Sequence, residues 1–238
     1  MFINKKRNNN KDMNSMVDGV GIITVADPKS VISEEFNTIR TNIQFANVDG
    51  ITKSLMITSA NASEGKSTVS ANLAAAFARQ GKKTLLVDAD LRRPTLAATF
   101  QISKTMGLTN YLTDTNVGVK DIVYATSLPN FSVIPSGPIP PNPSELLGSI
   151  RMEKLINTLI SKADLIIYDA PPVLAVTDAQ ILASQVDATI VLVRENRTNK
   201  KDIVEAVSLL KHVKANILGT IMNDSKQKSS SYYGYYGK

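Results

Sequence analysis

Ten residues, Ser59-Ala60-Asn61-Ala62-Ser63-Glu64-Gly65-Lys66-Ser67-Thr68, restrict the fold of this chain more than any other stretch. The apolar run Leu55-Met56-Ile57-Thr58 before them reads as a buried strand, and Val69, Leu73, Ala76 and Phe77 after them recur at helical spacing. A strand, a loop of small residues closing on Gly-Lys-Ser and a helix make the layout of a phosphate-binding P-loop. Such a loop aims consecutive backbone N–H groups at phosphate oxygens, and the helix N-terminus adds its partial positive charge. Gly65 lets the backbone approach closely, Lys66 can reach the outer phosphates, and Ser67 has the hydroxyl to ligate Mg²⁺. Ala62, Ser63, Glu64, Gly65, Lys66, Ser67 and Thr68 are therefore the expected nucleotide cradle. Ala60 stands where a glycine opens the usual motif, and the plain alternative is a polar turn before a helix.

The rest of the chain repeats the strand–helix alternation. Apolar runs at Thr84–Val87, Leu165–Tyr168, Ala188–Val193 and residues 216–222 read as buried strands, with a further strand at Phe131–Pro135. Between them lie helical patterns: the P-loop helix closed by Gly81, a stretch opened by Ser144 with Met152, Leu155, Ile156 and Leu159 inward, and segments at 177–184 and 199–213. Upstream, Asp27 or Ser30 caps a helix over 30–47 whose apolar face is Ile32, Phe36, Ile39 and Ile43. Four prolines between Pro138 and Pro143 force an extended connection. The expectation is an α/β fold, P-loop NTPase-like, with a mostly parallel sheet flanked by helices on both faces. Residues 1–26 read as a flexible N-terminal segment, 27–222 as the domain, and 223–238 as a flexible tyrosine-rich tail.

Composition narrows the function. The chain has no cysteine, which removes disulfides, thiol catalysis and zinc–thiolate sites. It has no apolar run of about 18 residues and no apolar stretch behind Lys5, Lys6 and Arg7, so neither a spanning helix nor an export signal is expected. The net charge of +6 reads first as solvated basic ends, with an anionic membrane surface or nucleic acid as weaker alternatives. His212, the single histidine, lies near a helix end and reads as a solvent or dipole contact rather than a catalyst.

Two further stretches bear on chemistry. Asp88 and Asp90 follow the second strand in Val87-Asp88-Ala89-Asp90-Leu91-Arg92-Arg93-Pro94, and Asp169 ends the third in Tyr168-Asp169-Ala170-Pro171-Pro172. Ligands of open α/β sheets bind at these C-terminal strand ends. Three carboxylates there are costly unless paired, and a Mg²⁺–nucleotide complex would supply the missing positive charge. Otherwise each acid caps a helix or pairs with Arg92 or Arg93.

Taken together, these motifs resemble a family. Asp88-x-Asp90-x-Arg92 matches the Walker A′ motif of the deviant P-loop ATPases, which include the MinD and ParA ATPases and the bacterial tyrosine kinases. The MinD and ParA pattern carries an extra lysine early in the loop, and none stands between Ala60 and Gly65 here. The Glu64-Gly65-Lys66-Ser67-Thr68 form, Pro141-Asn142-Pro143-Ser144-Glu145-Leu146-Leu147, Asp169-Ala170-Pro171-Pro172 and the helix from Ser33 to Ile43 are similar to bacterial tyrosine kinases. The likeness is greatest to the separate cytoplasmic kinases of Gram-positive capsule and exopolysaccharide operons, and it covers about residues 27–238.

The resemblance implies ATP and Mg²⁺ as cofactors and transfer of the γ-phosphoryl group to tyrosine. It implies catalytic roles for Lys66, Asp88 and Asp90, with Ser67, Asp90 and Asp169 placing the metal and Asp88 accepting the phenolic proton. It makes Tyr232, Tyr233, Tyr235 and Tyr236 autophosphorylation sites, presented to a neighbouring subunit. It places a ring contact on Glu34 and Arg40, although Asn37 replaces one arginine of the family pattern. Implied partners are a membrane polysaccharide co-polymerase-type activator on a separate chain, further copies of this chain in a ring, and a cognate tyrosine phosphatase, with no nucleic acid. Implied localisation is cytoplasmic, at the inner membrane face through that activator. The competing expectation is a MinD- or ParA-like ATPase switch without kinase activity.

Overall fold

The computed structural model describes residues 15–46, 52–103 and 106–225. In chain order the elements are α1 (Ser15–Asp18), α2 (Ile23–Ala26), α3 (Val31–Ala46), β1 (Ser54–Ser59), α4 (Lys66–Arg79), β2 (Thr84–Asp88), α5 (Leu96–Thr99), α6 (Leu108–Thr113), α7 (Val119–Ile122) and β3 (Tyr124–Ala125). There follow β4 (Phe131–Ile134), α8 (Pro143–Leu147), α9 (Ile150–Ile160), β5 (Leu165–Asp169), α10 (Asp178–Ala183), β6 (Ala188–Arg194), α11 (Lys200–His212) and β7 (Ile217–Asn223).

The strands form one seven-stranded sheet in the order β3-β4-β2-β5-β1-β6-β7. All pairings are parallel except β3–β4 at one edge. The unbroken apolar runs are explained by helices on both faces. Met56, Leu85, Val87, Ile166 and Tyr168 face a core closed by α6 to α11. Leu55, Ile57, Leu86, Ile167 and Ile190 face the opposite core, closed by α3, α4 and α5. Successive strand residues thus alternate between two buried layers. Every parallel strand ends at the same edge, which collects Ser59, Asp88, Asp169, Arg194 and Asn223.

Three features depart from the sequence expectation. Residues 15–26, read as flexible, contain α1 and α2, and the Thr24 amide and hydroxyl both bond the Asn72 side chain. Gly19 lies at φ +70°, and a Cβ there would meet the backbone of Thr99 at 2.6 Å. On α3, Ile32 is 51% exposed while Ser33 is buried, because the Ser33 hydroxyl donates to Asp27 O at 2.6 Å. The stretch after Ser144 is two helices, α8 and α9, and Ser149 caps the second through its contact with the Met152 amide. The two-residue β3 supplies the antiparallel edge of the sheet, in keeping with the mostly parallel sheet expected. Tyr232, Tyr233, Tyr235 and Tyr236 lie outside the described residues.

Candidate active site

The loop between β1 and α4 has the shape its sequence requires. Ser63 and Gly65 adopt left-handed backbone conformations, at φ +61° and +98°. Glycine is favoured at 65, since φ +98° strains any residue with a Cβ, which would also crowd the Asn223 side chain. Lys66 opens α4 and is buried. Ala60, the off-pattern residue, is fully buried in the core under α6 to α11, and its carbonyl accepts from the Leu174 amide at 3.3 Å. A methyl is accommodated at this position.

Two side chains of the loop, those of Glu64 and Asn61, are anchored outside it. The Glu64 carboxylate is buried and accepts from the Thr198 hydroxyl at 2.7 Å. Asn61 Nδ2 donates to Asp202 at 2.7 Å. Glu64 thus offers the cradle its backbone, while its acid group ties the loop to the β6–α11 turn.

Asp88 and Asp169 are register partners on adjacent strands, and both are fully buried. Asp88 Oδ2 accepts from the Thr95 and Leu96 amides, each at 2.9 Å, which caps α5. Its Oδ1 is buried without a partner. Asp169 Oδ1 accepts from the Ser70 hydroxyl at 3.2 Å, and its Oδ2 is likewise buried and unpartnered. Burial pushes the Asp169 carboxyl up to about 6, opposed by the nearby Lys66 ammonium and Ser67 hydroxyl. Burial and then Asp169 hold the Asp88 carboxyl well above its ordinary range. Asp90 adds negative charge to both acids. Its Oδ1 accepts the Arg93 and Arg92 amides at 2.9 and 3.3 Å.

Two orphaned carboxylate oxygens beside a buried lysine are a suitable environment for a cation. Among the described residues, no three histidine, cysteine or carboxylate groups converge to hold a metal unaided. That fits Mg²⁺, which takes one or two carboxylates and completes its shell with water and phosphate oxygens.

Arg92 has an intramolecular task. Its guanidinium forks onto Asp178 at 2.9 and 3.0 Å, and the Ser144 hydroxyl donates to the same carboxylate at 2.6 Å. The pair joins the loop after β2 to α8 and α10. At the proposed ring contact, Asn37 bridges Glu34 and Arg40 at 3.2 and 2.9 Å, and Arg40 also reaches Ala76 O. Asp178, Thr198, Asp202, Arg194 and Asn223 escaped the sequence reading. Arg194 and Asn223 end β6 and β7, and their position at the ligand edge of the sheet was the available signal.

A family model described as an AAA domain matches residues 52–222. The tyrosine-protein kinase YwqD of Bacillus subtilis is 47% identical over 91% of this chain and 91% of its own. The kinase domain of the Escherichia coli tyrosine kinase ETK superposes with a TM-score of 0.84 at 33% identity, covering 90% of this chain and 84% of that one. The septum site-determining protein MinD of Pyrococcus horikoshii, solved with Mg-ADP, gives a TM-score of 0.62 at 25% identity over 72% and 70% of the two chains. The fold is thus that of P-loop nucleotide-binding proteins. Among the described residues, no helix is long and apolar enough to cross a membrane.

Proposed function

The chain belongs to the bacterial tyrosine kinase family of P-loop ATPases, and on that premise we propose how its residues divide the reaction. It is an ATP-dependent protein-tyrosine kinase. The observation that carries the reading is the pair of buried, in-register carboxylates Asp88 and Asp169, each with one unpartnered oxygen, beside Lys66.

When bound, Mg-ATP supplies the transferable phosphoryl group and most of the compensating positive charge. The backbone N–H groups of residues 62–68 cradle the phosphates. Lys66 neutralises charge that develops on the leaving phosphate oxygens. Ser67, Asp90 and Asp169 hold the metal, directly or through water. Asp88 Oδ1 accepts the phenolic proton late in the transfer, since a carboxylate is a weak base for a phenol near pKa 10. Capping α5 through Oδ2 holds Asp88 in place for that task.

The proposed acceptors are Tyr232, Tyr233, Tyr235 and Tyr236 of another copy of the chain, in a ring whose contacts include Glu34 and Arg40. Each phosphate adds about −1.5 to −2 charge at pH 7, so phosphorylated tails repel one another and loosen the ring. The activator is a membrane co-polymerase-type protein on a separate chain, which recruits the kinase to the inner membrane face. A tyrosine phosphatase reverses the modification, and the process regulated is capsular or exopolysaccharide polymerisation and export. The MinD-like switch reading is disfavoured by the absence of a lysine between Ala60 and Gly65.

Lys66→Met is expected to lower the rate of phosphotyrosine formation by at least about 10²-fold, read with Mg-ATP and the activator's cytoplasmic segment. Removal of residues 229–238 should abolish autophosphorylation and leave ATP hydrolysis intact. Unchanged phosphotyrosine in Lys66→Met would remove the assigned role.

A further inference from the structure

Two carbonyl groups of the P-loop are gripped from outside the cradle. Arg194, at the end of β6, donates from Nη1 to Ser63 O at 3.1 Å. Asn223, at the end of β7, donates from Nδ2 to Glu64 O at 2.9 Å. In a trans peptide, the carbonyl and the N–H that follows it point to opposite sides of the chain. Holding Ser63 O toward Arg194 therefore turns the Glu64 N–H the other way. Holding Glu64 O toward Asn223 does the same to the Gly65 N–H. These are two successive donors of the cradle, set between left-handed residues at 63 and 65. The grip on Gly65 is as close as a missing methyl allows.

Arg194 is itself oriented. Its Nε and Nη2 both donate to Asp224 Oδ2, at 3.2 and 3.0 Å. Asp224 follows the last residue of β7 and touches no part of the P-loop in any described contact.

We propose that Arg194, Asn223 and Asp224 are positioning residues that preorganise the phosphate cradle, with Asp224 acting only through Arg194. The proposal rests on the nucleotide-binding reading of the loop. Its content is that the ends of β6 and β7 fix peptide orientation in the loop after β1, so that the N–H groups need no reorientation when a phosphate arrives.

A competing role for Arg194 is simple attraction of phosphate by its charge. The two roles give opposite signs at Asp224. If Arg194 acts by charge, neutralising Asp224 frees that charge and tightens nucleotide binding. If Arg194 acts by holding Ser63 O, Asp224→Asn loosens the guanidinium and weakens binding.

The test is calorimetric titration of the full chain with ADP in the presence of Mg²⁺, alongside thermal melting of the nucleotide-free protein. Asp224→Asn and Asn223→Ala are each expected to weaken ADP about five- to tenfold, the scale of one hydrogen bond, with nucleotide-free melting unchanged. Adding Asp224→Asn to Arg194→Gln should cost no further affinity, since the carboxylate works through the guanidinium. Unchanged or tighter ADP binding by Asp224→Asn overturns the proposal. So does additivity in the double variant, or a fall in nucleotide-free melting that accounts for the lost affinity. Failure of the unaltered chain to bind ADP would instead overturn the nucleotide reading beneath it.

Discussion

Asp169→Asn is expected to raise the stability of the nucleotide-free protein at pH 7.5 while lowering tyrosine phosphorylation by at least about 10²-fold. Asp88 and Asp169 face each other in register with no exposure, and each leaves one oxygen unpartnered. A carboxyl raised from 3.8 to about 6 carries a folding penalty of about 3 kcal/mol when ionised. Asparagine keeps the shape and an acceptor for Ser70, and removes the charge. The expected gain is about 2–3 kcal/mol, or roughly 4–12 °C in melting temperature for a chain of this size. Denaturant unfolding and phosphotyrosine formation, measured on the same preparation, check both halves. A less stable variant would contradict the electrostatic reading, and an active one would contradict the metal role.

The second large effect is on pH dependence. Both buried acids have native pKa values above their unfolded ones, so the native state binds more protons than the unfolded state across that interval. Stability must then fall as pH rises. For Asp169 the loss begins near pH 4 and is nearly complete a unit above pH 6, and Asp88 extends the same trend. Between pH 5 and pH 8 the nucleotide-free protein is expected to lose about 1–1.5 kcal/mol from Asp169 alone. The advantage of Asp169→Asn should accordingly fall to about half by pH 5 and vanish only below about pH 4. Denaturant midpoints for both proteins at the two pH values test this. A wild-type stability that is flat or rising over that range would contradict it.

How much of this was legible in the sequence depends on the range of the interaction. The P-loop, Gly81 and the acids at strand ends were readable because local pattern determines them. The buried strands were readable because helices cover both faces of the sheet, which leaves unbroken apolar runs. The order of those strands was not readable, since it rests on pairings between distant segments. The same holds for Arg92 and Asp178, which are 86 positions apart, and for Asn223 and Glu64, 159 apart. Residues 15–26 follow a polar, aperiodic stretch and read as part of it, yet Asn72 fixes Thr24 from 48 positions away. Ile32 shows the converse. Its spacing suits a buried face, but the first turn of α3 is held by the hydroxyls of Ser30 and Ser33 and leaves the isoleucine outside.

The kinase reading turns on where the γ-phosphoryl group goes. Incubation of the full chain with γ-labelled Mg-ATP and the activator's cytoplasmic segment, followed by site mapping, measures this directly. Label on Tyr232, Tyr233, Tyr235 or Tyr236, absent in Lys66→Met, is the expected result. Label recovered only as free phosphate, with no phosphotyrosine on the chain, would contradict the kinase reading and leave an ATPase switch in its place.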